Sequence, residues 1–367
     1  MHSHKDGCGT YCEYLKKKII QEMTDNKTKT LKKWHLPFLL FLIIGTYLAI
    51  TRKEEAKDIP FQYCEGAIFG TVYHATYQCD SSLNGKILEE LQAVDQSLSM
   101  FNPNSTISQI NSGKSNETDS LLRTIFHIAR EVSQATDGAF DITVAPLVNA
   151  WGFGFKHGAL PDSLQVDSLR QLIGWNRISL KDNKFFREDP RMIIDLSAVA
   201  KGFGSDCVAQ MFRKHGINNF MIEIGGEVVT SGVSPKAKAW RIGVNKPQED
   251  STSTSNELQT ILQMNNCAMA TSGNYRNFYI DNGRKIAHTI DPKTGYPVQH
   301  SILSSTVIAP TCAIADAYAT AFMVLGLEKS LQVLDKHPEL MAYFIHTDKE
   351  GNYQVWKSPG IEALIAQ

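Results

Sequence analysis

The run Leu36 to Ile50, LPFLLFLIIGTYLAI, holds no charged residue and follows Lys27, Lys29, Lys32 and Lys33. Such a run divides the chain, because its length of apolar surface has to be buried in a membrane or in a core. At about 1.5 Å per residue it covers about 22 Å, against roughly 30 Å of hydrocarbon. Trp34 and His35, taken as interfacial residues, bring it closer to spanning. The lysines before it place the N-terminus in the cytoplasm; Arg52, Lys53 and Lys57 after it are offset by Glu54, Glu55 and Asp58, which weigh little in that rule. No Ala-x-Ala site follows Ile50, which favours an uncleaved signal anchor. The expected organisation is a polar cytoplasmic N-terminus over 1–33, a transmembrane signal anchor over 34–51 and an extracytoplasmic globular body over 59–367. A buried core helix is the competing reading of the same run.

The body has ordinary globular composition: 43% of the chain is hydrophobic and 20% charged, enough for a sizeable core. With 37 basic against 38 acidic residues and a net charge of -1, nothing points to nucleic acid as a partner. Five of the seven cysteines lie beyond the apolar run, without a CxxC pair, so disulfides and buried thiols both stay open. Gly66 to Tyr77 reads as one strand, and Leu83 to Leu98 spaces Ile87, Leu88, Leu91, Val94 and Leu98 at helical intervals. Further helices are predicted over 121–136, to about Lys214, and over Cys312 to Leu325. Strands are predicted at Ile217 to Gly226, 240–244, 267–272, 287–290, 306–309, 342–345 and 353–356. Strands and helices mix without a regular βαβ rhythm, so the fold class is α+β rather than doubly wound α/β.

Three segments carry chemistry. Asp316 and Thr320 stand at i and i+4, on one face of a helix, as hard oxygen donors suited to Mg²⁺. Spacing alone favours a blander account, an Asp at a helix start with a packed Thr. HTIDPKTGYP, His288 to Pro297, is a polar turn that suits an acid/base group or a simple hairpin. In DLSAVAKGFGSD, Asp195 follows Ile193-Ile194 at the expected end of a strand, and Lys201-Gly202 lie just before a helix, where N–H groups and a cation meet phosphate. Neither GxxxxGK[ST] nor GxGxxG is present.

In order along the chain, TDGAFDITVAPLVNAWGFG, IDLSAVAKGFGSD, MIEIGGEV, WRIGVNKP, ATSGNYRNF, HTIDPKTGYP and ADAYATAFMVLG closely resemble the ApbE family of FAD:protein FMN transferases. The resemblance runs from about Gly66 to the final strands. It implies an α+β, T-fold-like arrangement of mixed sheets with packed helices, and FAD as substrate. By the same resemblance Asp195 holds the adenine, Lys201 contacts FAD, and Phe101 and the Ala139-Phe140-Asp141 turn lie by the flavin nucleotide. A Met usual before the Gly-Thr of the first strand is here Phe69. The metal falls to the Ala198 carbonyl, Asp316 and Thr320. Where some members carry ADAxDT this chain has Ala319-Thr320, which weakens the case for a second ion.

The implied reaction joins FMN to a threonine of an acceptor flavoprotein and releases AMP. Mg²⁺ would neutralise the pyrophosphate, and positioning would do most of the rest. His288 is the candidate for orienting or deprotonating the attacking hydroxyl, since an imidazole titrates near neutral pH. A structural His closing the loop is the alternative. Water as acceptor makes an FAD pyrophosphatase instead, and loss of the metal residues would leave a non-catalytic flavin binder. The anchor points to the periplasmic side of a cell inner membrane, with a subunit of a membrane redox complex as acceptor.

Overall fold

The computed structural model describes residue 17 and residues 35–51, 59–154, 160–247, 257–274, 278–281 and 284–366. The chain divides into two units, Met1–Asp58 and Ile59–Gln367. In the first, helix α1 spans His35–Thr51. At 17 residues it measures roughly 26 Å. Its described side chains, Phe38 to Ile44 among them, are exposed. Among the described residues no helix is long and apolar enough to cross a membrane. The expected polar N-terminus over 1–33 lies, apart from Lys17, outside the described residues, as do Trp34 and 52–58.

The second unit is an α+β body. Strands β1 (Phe61–Ile68) and β2 (Thr71–Gln78) form a hairpin where one strand was expected. Phe69 and Gly70 both have positive φ, 51° and 72°, the two-residue turn whose twist matches that of paired strands. Helices α2 (Asn84–Leu98), α3 (Thr106–Asn111) and α4 (Ser120–Ala135) follow. Ser105 caps α3 and Asp119 caps α4, each side chain accepting a backbone N–H of the first turn. Short helices α5 (Ala145–Ala150) and α6 (Ser163–Arg170) lead to the hairpin β3 (Ile178–Lys181) and β4 (Lys184–Arg187).

Helix α7 (Ser197–Lys214) precedes β5 (Phe220–Ile224), β6 (Glu227–Ser231), β7 (Trp240–Asn245), β8 (Leu258–Met264) and β9 (Ala268–Gly273). The hairpin β10 (Phe278–Asp281) and β11 (Arg284–Ala287) comes next, then β12 (Ile302–Ala309) and helix α8 (Cys312–Leu334). Strands β13 (Met341–Thr347) and β14 (Tyr353–Lys357) and helix α9 (Pro359–Glu362) end the described chain. The alanine-rich part of α8 stops at Gly326, whose φ of 74° breaks the helical path.

Eight strands make the main sheet, in the order β1-β2-β5-β6-β9-β12-β13-β14, with every pairing antiparallel. Helices α7 and α8 pack on one face through Phe203, Val199, Ala315, Ala319 and Phe322. The β7–β8 hairpin covers the other with Trp240, Ile242 and Leu262 against Met269 and Ile308. The joint between β6 and β9 is short: only Val228↔Met269 and Val229↔Ala268 pair. On one side the contact continues through the Thr230 N–H to the Cys267 carbonyl at 3.0 Å, whereas toward Glu227 and Ala270 no further pair follows and the sheet opens.

Three local expectations are corrected. Ile193-Ile194 is not a strand; the Asn111 amide brackets Ile194 instead, donating to its carbonyl at 2.8 Å and accepting its N–H at 2.9 Å. Lys201-Gly202 sit inside α7, one turn past its start, rather than before it. Strand β11 ends at Ala287, so His288 stands at a bend and not within a 287–290 strand.

Candidate active site

The opening between β6 and β9 is the floor of a cleft of about 470 Å³. Nine residues singled out from the sequence line it: Ala139, Phe140 and Asp141 from the turn after α4, Asp195, Ala198 and Lys201 at the start of α7, Asp316 and Thr320 of α8, and His288. Phe69 and Phe101 are not among its lining residues. Phe69 turns its ring onto Gly204 of α7, where a Cβ would meet it at 2.8 Å. Phe101, in the loop before α3, is 80% exposed.

A buried charge cluster forms the centre. The Lys201 ammonium lies 2.7 Å from Glu227 Oε1, and the Glu227 side chain is 3% exposed. Asp316 is buried, its Oδ2 accepting the Gly202 N–H at 3.2 Å. Burial raises the Asp316 carboxyl, with Lys201 and the Gly202 N–H opposing. Burial raises Glu227 too, and Asp316 adds to that while Lys201 resists. Burial pulls Lys201 down, but Asp316 and Glu227 outweigh it and hold the ammonium above the ordinary lysine value. Two carboxylates against one cation leave an excess negative charge out of water, which draws either a proton or a metal.

The helix crossing explains how Asp316 reaches this point. A Cβ on Gly202 would lie 2.4 Å from the Cys312 carbonyl oxygen, so α7 and α8 touch backbone to backbone there. Asp206, one turn further along α7, accepts the Cys312 and Ala313 N–H groups at 2.8 Å each, fixing the start of α8. One turn beyond Asp316, the Thr320 hydroxyl meets Ser272 of β9 at 3.1 Å.

Other lining residues have structural duties as well. Asp141 Oδ1 accepts from the Thr143 N–H (2.8 Å) and hydroxyl (2.6 Å), and Oδ2 from the Trp175 N–H at 2.9 Å. Burial still raises this carboxyl, against those donors. Asp195 Oδ1 accepts the Ser197 N–H at 2.8 Å. His288 is half-buried, with its ring 6.2 Å from Phe153 in an edge arrangement.

Sequence reading missed Glu227. It stands after the paired glycines of MIEIGGEV, whose φ values of 59° and 103° turn the chain sharply into the cleft. The glycine pair is the signal that something must approach closely there. Among the described residues no group of three or more His, Cys, Asp and Glu is placed to hold a metal. Asp316, Thr320 and Ala198 nonetheless line the same cleft.

The ApbE family model matches residues 69–344. An FAD:protein FMN transferase of Haemophilus influenzae is 34% identical over 328 residues, covering 83% of this chain and 92% of that protein. Its counterpart of the same name in Escherichia coli strain K12 is 32% identical over 315 residues, 82% of this chain and 88% of that one. Among solved structures, the flavin transferase ApbE of Vibrio cholerae aligns with a TM-score of 0.73 at 28% identity, over 83% of this chain and all of that one. The ApbE protein of Thermotoga maritima, at 23% identity, shares the fold with a TM-score of 0.74 over 84% of this chain. With a family match across most of the body and full-length relatives above 30% identity, this chain belongs to the ApbE family.

Proposed function

We propose that this chain is an FAD:protein FMN transferase, cleaving FAD and linking FMN through a phosphoester to a threonine of an acceptor flavoprotein. The observation that carries this reading is the convergence of nine residues of the family-like motifs on one cleft around the buried cluster of Lys201, Glu227 and Asp316.

The residues fit a hard divalent cation. The N–H that an α-helix assigns to the Ala198 carbonyl is that of Gly202, and it also donates to Asp316 Oδ2. The Ala198 carbonyl therefore has acceptor capacity to spare beside Asp316. Glu227 Oε2 is buried without a hydrogen-bond partner among the described residues, an acceptor left over beside this site. Asp316, Thr320 and the Ala198 carbonyl are the residues that would hold Mg²⁺, which would neutralise pyrophosphate charge when bound.

The chain's own groups supply the rest. Asp195, with one oxygen fixed by Ser197, keeps the other for the adenine. Lys201, locked to Glu227, presents a cation to the pyrophosphate from inside α7. His288 orients the threonine hydroxyl and takes its proton as the hydroxyl oxygen bonds to the FMN phosphorus. The phosphorus–oxygen bond to AMP breaks in the same displacement, and AMP leaves with the electron pair. Positioning and charge account for most of such a rate.

In this reading the apolar run at 36–50 anchors the enzyme in the inner membrane with its body in the periplasm, and the acceptor is a subunit of a membrane redox complex. The test is mass spectrometry of a threonine-containing acceptor peptide after incubation with the enzyme, FAD and Mg²⁺. An adduct of FMN mass, with AMP released and both blocked by EDTA, is expected. Free FMN and AMP beside unmodified peptide would indicate FAD hydrolysis, and intact FAD a binding protein.

A further inference from the structure

The glycine-rich aromatic turn WGFG at 151–154 has no part in the chemistry above, yet it is packed against the segment that carries His288. Gly152 has a φ of +82°, and a Cβ on Gly154 would fall 1.8 Å from Asn149 Oδ1, so the chain folds back on the end of α5. That reversal sends two rings into the neighbouring loop. The buried Trp151 indole donates to the Gly295 carbonyl at 2.8 Å and lies 5.6 Å from the Tyr296 ring. The Phe153 ring sits 5.2 Å from Tyr279 and edge-on to His288 at 6.2 Å. Tyr279 closes the set, its hydroxyl donating to the Trp151 carbonyl at 3.0 Å.

These contacts bracket His288. Tyr279 is on β10, before it, and Gly295 and Tyr296 are in the turn after it. The turn itself is seated tightly: Gly295 has a φ of +80°, and a Cβ there would come within 2.6 Å of Val166 on α6. Lys293 of the same loop pairs with Asp137. Leu147, Trp151, Val166, Ile286 and Ile290 form a small core of their own, without residues of α7 or α8. The His288 loop and the Asp316 centre are thus supported by different sets of side chains.

We propose that Trp151 and Phe153 are positioning residues that fix the His288 imidazole over the cleft, Trp151 through the Gly295 carbonyl and Phe153 through its ring edge. This rests on the reading of His288 as the group that takes the acceptor proton. A displacement of about 1 Å in such a group lowers turnover up to about a hundredfold. Loss of FAD affinity is not expected, because neither ring lines the cleft.

The test is a double-mutant cycle on FMN transfer with saturating FAD. Trp151→Phe, which keeps an aromatic side chain but removes the indole donor, should lower kcat about tenfold, and Phe153→Leu about ten- to a hundredfold, with the KM for FAD within about twofold of wild type. Phe153→Tyr should recover most of the loss. In a His288→Ala background, both substitutions should change the residual rate by no more than about twofold, because they act through the absent imidazole. Equal losses in both backgrounds, or wild-type kcat in both variants, overturn the proposal. A His288→Ala enzyme that transfers FMN at the wild-type rate is a different result: it removes the role of His288 on which the proposal stands. Melting temperatures taken in parallel separate an unfolded Phe153→Leu from a mispositioned one, and Trp151→Phe then carries the test alone.

Discussion

Gly202→Ala is expected to open the α7–α8 crossing and disable the carboxylate centre at one stroke. The new methyl would lie 2.4 Å from the Cys312 carbonyl oxygen, 2.7 Å from its carbon and 3.0 Å from Ala313 N. All three are main-chain atoms, so no side chain can swing away. For the shortest contact to relax to 3.0 Å the helices must part by about 0.6 Å there. The Gly202 N–H to Asp316 Oδ2 bond, now 3.2 Å, would then stretch to about 3.8 Å, outside hydrogen-bond range. Overpacking costs about 1–3 kcal/mol, and a lost bond to a carboxylate about 1–3 kcal/mol more. Better helix propensity returns about 1 kcal/mol. The net loss is about 1–5 kcal/mol, or about 2–10 °C in Tm at roughly 2 °C per kcal/mol for a domain of this size. Scanning fluorimetry gives Tm, and FMN transfer to a peptide gives the rate, which should fall more than about tenfold as Asp316 shifts. Gly204→Ala is the control, since the nearest atoms to its Cβ belong to the Phe69 and Ile224 side chains and not to backbone. A Gly202→Ala enzyme with unchanged Tm and unchanged transfer would refute the backbone-contact argument.

Three further outcomes are expected. Asp316→Ala should abolish turnover and magnesium dependence together, and normal FMN transfer by that variant would sink the metal assignment. Asp195→Ala should weaken FAD binding about tenfold or more, as loss of a hydrogen bond to a charged group implies, with flavin fluorescence as the readout and unchanged affinity counting against it. Burial pushes Asp206 up to about 6, against its two backbone donors. The fold therefore keeps this proton to higher pH than the unfolded chain, so the associated stability is present below the unfolded value of 3.8 and lost as pH rises through about 6. Asp206→Asn should flatten that part of the curve, measured as urea midpoints between about pH 4 and pH 7. An unaltered slope would mean that Asp206 does not titrate there.

What was legible in the sequence was local. Asp316 and Thr320 share a helix face because four residues make about one turn, and the alanine-rich helix that carries them stops at its glycine. The core positions of α2 followed from spacing, with Ile87, Leu91, Val94 and Leu98 buried. What stayed hidden depends on partners far along the chain. Ile193-Ile194 looks like a strand, but the Ile194 backbone bonds to the Asn111 amide 83 positions away. The turn inside Gly66–Tyr77 is masked by a Phe at positive φ, a conformation no composition rule assigns to Phe. Glu227 falls just past the strand predicted to end at Gly226, and only the folded chain sets it against Lys201. Asp141 is closer to legible, since Asp-Ile-Thr is an Asx-turn sequence, and its carboxylate does accept from the residue two positions on.

The arrangement of the cleft follows from the break in the sheet. An unbroken ladder between β6 and β9 would place strand pairs where the ligand has to lie. The paired glycines before β6 end the ladder on its Glu227 side and turn Glu227 inward, so the gap has a charged floor rather than unpaired edges alone. Across that gap the two sides are held independently. Asp316 and Lys201 ride on two helices in backbone contact, built into the main core. His288 hangs from a small aromatic core tied to α5 and α6. A chemistry with two tasks, holding a pyrophosphate and admitting a second substrate, is served by that separation. On the proposed reading the helix crossing fixes phosphorus and charge, and the aromatic core holds His288 from α5 and α6. Substitutions should sort accordingly: those at the helix crossing change FAD and metal binding together, and those in the aromatic core change turnover with FAD affinity intact.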